Sequence, residues 1–226
     1  MEVIVLAGGL GTRLRSVVDD VPKCMAPVAG KPFLAHILAY LESQFADHVI
    51  LSLGYKYETV IDWLRGKAFT FKVSWVIEKE PLGTGGGLQL ALAKARSQKV
   101  FVLNGDTFFP VDLRAMQPVM TTTTPIVAAL KPMTNFDRYG TVTINKDHDI
   151  LSFQEKQPQE EGLINGGVYY INNELLRLEQ HRPPFSFEQQ VLEQTPGLKA
   201  QVQDITFIDI GIPEDFEKAQ SILADH

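Results

Sequence analysis

The chain has one cysteine, Cys24, in 226 residues. An internal disulfide is therefore excluded, and the usage suits a reducing compartment. No apolar run approaches the ~20 residues that a membrane-spanning helix needs. The first apolar segment is only a few residues long and follows no basic stretch, so neither a bilayer anchor nor a secretory leader is expected and the location read is cytoplasmic. Positive charge is not in excess either: 21 Lys and Arg against 27 Asp and Glu leave a net charge of −6. General attraction of nucleic acid is excluded on that balance, and a membrane partner is not expected. An anionic ligand must then be met by local cations, for which Arg13, Arg15, Lys23 and Lys156 are the candidates, with Mg²⁺ in addition. Internal repeats and low-complexity segments are also lacking. With 45% hydrophobic and 21% charged residues the composition is that of an ordinary globular protein, long enough for one substantial domain or a core with a small lobe.

What is present is an alternation. Strand-like apolar runs at 2–7, 48–53, 71–77 and 99–103 are separated by helical patterns near 32–45, 56–65 and 84–96. Phe33, Ile37, Leu38 and Leu41 recur at helical spacing, as do Leu88, Leu92 and Ala95. Strand–helix–strand alternation with short links predicts an α/β fold, a Rossmann-like doubly wound and mostly parallel sheet covered on both faces. Its ligands should collect beyond the carboxyl ends of the strands. After about residue 125 the texture turns to strands, at 125–130, 140–144, 150–153 and 167–171, with a hairpin of 140–145 on 150–154, and predicts a small β-rich lobe built onto the same sheet. Thr121, Thr122, Thr123 and Thr124 read as a solvated turn. A helix over 213–224 begins with Pro213 and acids in its first turn. The expected division is one domain over 1–226, with a first part at about 1–120, a second part at about 121–212 and the C-terminal helix.

The chemistry-bearing motifs follow strands. Glu2-Val3-Ile4-Val5-Leu6 runs into Ala7-Gly8-Gly9-Leu10-Gly11-Thr12-Arg13. Glycines let backbone N–H groups approach an anion, and Arg13 adds a planar fork of donors, so this is a phosphate cradle. It has neither a Walker lysine nor GxGxxG spacing. Lys23 is framed by Pro22 and Pro27 in a stiff loop, from which it can place a point charge on phosphate; in isolation it would be an ordinary surface lysine. Glu78-Lys79-Glu80-Pro81-Leu82-Gly83-Thr84-Gly85-Gly86-Gly87 can wrap a flat ligand and expose N–H groups at a helix start, or serve only as a flexible turn. A carboxylate at Glu78 would match the two adjacent N–H donors of guanine, though uracil N3–H could also donate to it. Asp106 and Asp209 each end an apolar run. One Mg²⁺ commonly takes one or two carboxylates with phosphate and water, so the two could share a cation if the fold brings them together; singly, each could be a turn or cap residue. Tyr139, Gly140, Glu155, Lys156, Asn165 and Gly167 offer donors and acceptors suited to sugar hydroxyls and a sugar phosphate.

In this order the motifs resemble the sugar-phosphate nucleotidyltransferases, from Val3 to about Phe216. The stretches 103–109, 136–142, 163–169, 185–188 and 207–216 narrow the resemblance to members acting on a heptose 1-phosphate. It implies a nucleotide-diphospho-sugar transferase fold with a sugar-binding lobe, Mg²⁺ as cofactor, and transfer of a guanylyl group from GTP to the heptose 1-phosphate. It places Leu6, Ala7, Gly8, Gly9, Gly11, Thr12, Arg13, Glu78, Pro81, Gly83, Thr84 and Asp106 at the nucleotide. Arg13, Lys23 and Asp106 take catalytic roles, and Asp106 and Asp209 hold the metal. Lys23, Tyr139, Gly140, Glu155, Lys156, Asn165 and Gly167 fall at the sugar phosphate. Cys24 stands where relatives often carry proline or leucine, and Gln157 separates Lys156 from Pro158. Two other readings stay open: a mannose 1-phosphate or uridylyl specificity, and a non-catalytic sugar-nucleotide sensor on the same fold. The sensor predicts loss of Arg13, Lys23 or an aspartate, and all are present. A homo-oligomer is left open.

Overall fold

The structure is a computed structural model that describes residues 1–9, 11–14, 17–18 and 20–224, and of Thr12 the backbone alone. Arg15, one of the candidate cations, lies outside the described residues. In chain order the elements are β1 (Glu2–Ala7), β2 (Pro27–Val28), β3 (Lys31–Pro32), α1 (Phe33–Ser43), β4 (His48–Leu53), α2 (Tyr57–Leu64), β5 (Lys72–Ile77), α3 (Gly83–Leu92), β6 (Lys99–Asn104), β7 (Thr107–Phe108) and α4 (Leu113–Met116). There follow β8 (Ile126–Phe136), β9 (Val142–Ile144), β10 (Ile150–Phe153), β11 (Gln159–Asn172), α5 (Asn173–Leu176), β12 (Lys199–Val202), β13 (Ile208–Asp209) and α6 (Pro213–Ile222).

Seven strands form one sheet in the order β12-β8-β11-β6-β1-β4-β5. Only the β11 pairings, to β6 and to β8, are antiparallel within it. The sheet is thus mostly parallel, as the alternation predicts. Its period of two divides the core: Val3 and Val5 pack with α1 and α6 on one face, while Ile4 packs with α3 and the 185–192 segment on the other. Burial on both faces explains why β4 and β6 are near-continuous apolar runs.

The later half departs from its expected outline. The runs at 125–130 and 167–171 are parts of two long strands, β8 and β11, which pair well beyond the sheet and carry the β9–β10 hairpin. A register shift in β11 between Asn165 and Tyr169 bends it where Gly166 and Gly167 lie. Strand β12 has too little apolar periodicity to be seen in sequence, yet it closes the sheet edge against β8. Thr124 is buried and hydrogen-bonds Thr121 at 2.7 Å, so the threonine run is only partly solvated. Pro213 and the acids Glu214 and Asp215 start α6 as expected.

One buried polar chain fixes the opposite, amino-terminal edge of the sheet. Glu2 pairs His48 Nδ1 at 2.7 Å and accepts the N–H groups of Arg96 and Ser97 at 2.7 and 2.5 Å. His48 Nε2 meets Ser74 Oγ at 2.5 Å. Burial raises the Glu2 pKa, but the hydrogen bonds from His48, Ser97 and Arg96 outweigh it and hold the carboxyl at about 2, below its ordinary 4.5. A folded value below the unfolded one stabilises the protein fully above pH 4.5, and that contribution is lost as pH falls towards 2. Glu2→Gln should cost about 1–3 kcal/mol at neutral pH and reduce the acid-induced loss of stability in that window, read from urea unfolding at a series of pH values.

Candidate active site

Two cavities open at the carboxyl edge of the sheet and share Asn104 and Asp106 in their walls. The first, of about 430 Å³, lies over the ends of β1 and β6, with Glu78 just beyond β5 as a further wall. It is lined by Leu6, Ala7, Gly8, Gly9, Gly11, Lys23, Glu78, Pro81, Gly83, Thr84 and Asp106, among others. The residues expected at a nucleotide therefore gather in one place, with one exception among the described side chains. Arg13 sits exposed in the short turn Thr12–Leu14, and the structure does not bring it to this wall.

The glycines at this edge are dictated by close approach. A Cβ on Gly8 would stand 2.1 Å from Glu78 Oε1, so the cradle and the 78–87 loop touch through that carboxylate. A Cβ on Gly85 would stand 2.1 Å from the Phe185 ring, and the Gly85 N–H already donates to the Phe185 carbonyl at 3.0 Å. The expected exposure of N–H groups along 83–87 is corrected at Gly85, which is a packing glycine. Glu78 accepts from the Ser52 hydroxyl at 3.0 Å and from the Leu82 N–H at 3.3 Å. Burial raises its pKa, and those two donors offset only part of the rise.

The second cavity, of about 510 Å³, lies between β11, the β9–β10 hairpin and the 186–193 segment. Tyr139, Gly140, Glu155, Lys156, Asn165 and Gly167 all line it. Asn165 is fixed by the bend in β11: its amide donates to the Tyr169 hydroxyl at 2.8 Å and its carbonyl accepts the Gly167 N–H at 3.1 Å. Lys23, expected near both substrates, lines the first cavity only.

Asp106 and Asp209 meet where the cavities join. Strand β13 pairs antiparallel with β7, setting Asp209 against Thr107, and the Ile210 N–H donates to the Asp106 carbonyl at 3.0 Å. Lys23 Nζ lies 2.6 Å from Asp106 Oδ2 and 3.8 Å from Asp209 Oδ1. One cation thus reaches both carboxylates, which is the test a divalent site must pass; the pair fits Mg²⁺ completed by phosphate and water. Among the described residues no three His, Cys, Asp or Glu side chains converge to make an all-protein cage. Burial and then the neighbouring Asp106 charge raise the Asp209 pKa, against the lowering effect of Lys23. Cys24 lies beside Lys23, buried, its thiol pushed up to about 12 by desolvation, so it is no nucleophile at neutral pH.

Sequence reasoning assigned no role to Asn104, Tyr169, Ser186, Glu188 or Phe207, all in the second cavity wall. Glu188 lay inside the stretch 185–188 that carried the resemblance, which was its only signal. Asn104 Oδ1, at the seam of the two cavities, is buried without a hydrogen-bond partner among the described residues.

Gly8→Ala should lower stability by about 1–3 kcal/mol, because the loop or Glu78 must shift. Gly9→Ala should leave stability within about 0.5 kcal/mol, since among the described residues a Cβ there meets nothing within 4 Å. Both should weaken binding of a nucleoside triphosphate, read by calorimetry beside the thermal midpoints.

The nucleotidyl transferase family model matches residues 2–226. The chain is 46% identical to D-glycero-alpha-D-manno-heptose 1-phosphate guanylyltransferase of Aneurinibacillus thermoaerophilus, over 99% of this chain and 98% of that protein. The Campylobacter jejuni protein of the same name is 43% identical over 96% of this chain and 97% of its own length. The crystal structure of HddC from Yersinia pseudotuberculosis complexed with GMP-PN superposes with a TM-score of 0.88 at 39% identity, covering 98% of this chain and 99% of that one. The doubly wound α/β fold expected from sequence is the fold observed. Among the described residues no helix is long and apolar enough to cross a membrane.

Proposed function

The chain belongs to the nucleotidyl transferase family, and on that footing we propose that it transfers GMP from GTP to D-glycero-α-D-manno-heptose 1-phosphate, releasing pyrophosphate and forming GDP-D-glycero-α-D-manno-heptose. One observation carries this reading: two cavities of substrate size join at the carboxylate pair that shares Lys23. The near full-length likeness to heptose 1-phosphate guanylyltransferases supports the choice of substrates.

In this reading the first cavity takes GTP. Glu78, as a carboxylate, accepts from the N1–H and N2–H donors of guanine, and the Gly8 and Gly9 backbone faces the phosphates. The second cavity takes the sugar 1-phosphate, with Lys156 towards its phosphate and Asn165 towards its hydroxyls. The acceptor phosphate oxygen attacks the α-phosphorus in line, the bond from that phosphorus to the β-phosphate oxygen breaks, and pyrophosphate leaves. The nucleophile is already ionised, so no general base is needed. The obstacle is repulsion between two anions, and catalysis is positioning plus charge neutralisation.

Asp106 and Asp209 would hold Mg²⁺, which when bound supplies positive charge to the reacting phosphate oxygens. With a cation held there, Lys23 would be released to contact phosphate, and Arg13 would add its charge from the cradle.

Asp106→Asn should reduce turnover by more than tenfold at saturating Mg²⁺ with the fold intact by circular dichroism. Retention of more than about a tenth of activity would place less than ~1.4 kcal/mol of transition-state stabilisation there and remove the role. Pyrophosphate release measured across four nucleoside triphosphates, with heptose and mannose 1-phosphates as acceptors, tests the substrates. GTP with the heptose 1-phosphate should be preferred. Glu78→Gln should raise the KM for GTP about tenfold by setting an amide donor against a guanine donor. A preference for UTP, or for mannose 1-phosphate, would overturn the corresponding half of the reading.

A further inference from the structure

We propose that Glu188 is a specificity-determining carboxylate for the polyol end of the acceptor sugar, and that Thr84, from the nucleotide side, is the positioning residue that aims it. This deepens the reading above and rests on it.

The segment that carries Glu188 is fastened to the 78–87 loop. The Phe185 N–H donates to the Leu82 carbonyl and the Gly85 N–H donates to the Phe185 carbonyl, each at 3.0 Å. The Phe187 N–H donates to Thr84 Oγ1 at 2.9 Å. With its oxygen accepting there, the Thr84 hydroxyl proton goes to Glu188 Oε2, at 2.6 Å. The Ser186 hydroxyl donates to the same oxygen at 3.0 Å. Thr84 lines the nucleotide cavity, but its hydroxyl is spent on the acceptor side.

Two hydroxyl donors thus occupy Oε2 and leave Oε1 as the acceptor for a ligand. Glu188 is half-buried in the wall of the second cavity, and among the described residues no Lys, Arg or His forms an ion pair with it. An uncompensated carboxylate repels phosphate and accepts from hydroxyls, so it suits the polyol end of the acceptor rather than its phosphate, for which Lys156 is the cation in this cavity wall. A heptose carries one more hydroxyl-bearing carbon than a hexose at that end. The Thr84 link makes the aim of Glu188 depend on a loop that also walls the nucleotide cavity.

The experiment is steady-state pyrophosphate release with Glu188→Gln, Thr84→Val and Thr84→Ser beside the wild type, with GTP and heptose 1-phosphate each varied. Glu188→Gln should raise the acceptor KM at least tenfold, leave the KM for GTP within about twofold, and cut the heptose-over-mannose preference by a similar factor. Thr84→Val should raise the acceptor KM by threefold or more, and Thr84→Ser should restore it. An acceptor KM within twofold in Glu188→Gln overturns the proposal, as does a parallel rise in both KM values, the mark of a merely structural contact. If Glu188→Gln does not fold, the Thr84 pair decides: an unchanged acceptor KM in Thr84→Val overturns it. Wild-type protein that releases no pyrophosphate with any sugar 1-phosphate removes the underlying reading instead, so the two failures are distinct.

Discussion

Two negative side chains from distant parts of the chain share one lysine, and the geometry of the active edge follows from that contact. Carboxylates brought this close repel each other, and partial burial weakens the screening that water would provide. Lys23 offsets the repulsion from 2.6 and 3.8 Å. The pairing of β7 with β13 holds the backbone of both aspartates, so the charges cannot relax by drifting apart. Lys23 fills the position between them and supplies the compensating charge.

The packing around this point explains why glycine is concentrated at the edge. The cradle and the 78–87 loop come together through Glu78, and the 78–87 loop and the 185–188 segment come together through Phe185. Each contact replaces a side chain with a neighbour's side chain. Three chain segments therefore form one connected wall, from the first cavity through Thr84 to Glu188 in the second. The same close fit makes the wall intolerant of added methyl groups. At the far edge Glu2 performs the complementary task, tying β1, β4 and the α3–β6 link together through His48 and two backbone donors.

Legibility was uneven, for physical reasons. Strands β1, β4 and β6 are buried runs and β5 is a half-buried edge run, separated by amphipathic helices, and both signals are local. The β9–β10 hairpin was equally readable, because turn residues bracket it. Strand β11 was seen only at its buried end, since its outer half carries Glu160, Glu161 and Gly162 and has no strong alternation. Its strand character comes from pairing with β8. Arg13 was assigned from its place after the glycines, but the direction of a long exposed side chain is set by a ligand or a loop movement rather than by spacing. Glu188 passed without a role because nothing near it in sequence announces a cavity. Its two hydroxyl donors are Ser186, close by, and Thr84, from another segment.

The chain by itself determined the alternation of strands and helices, the sheet edge at which ligands collect, and the residue types able to meet phosphate, base and sugar. These follow from hydrophobic periodicity and from glycine, proline and charge placed at strand ends, which act over a few residues. Tertiary structure alone decided that Asp106 and Asp209 face one lysine, that Gly85 serves packing, and that Glu188 lines the second cavity. Those outcomes depend on distances between segments far apart along the chain, which are set by strand pairing and close packing and leave no pattern in the residues between them.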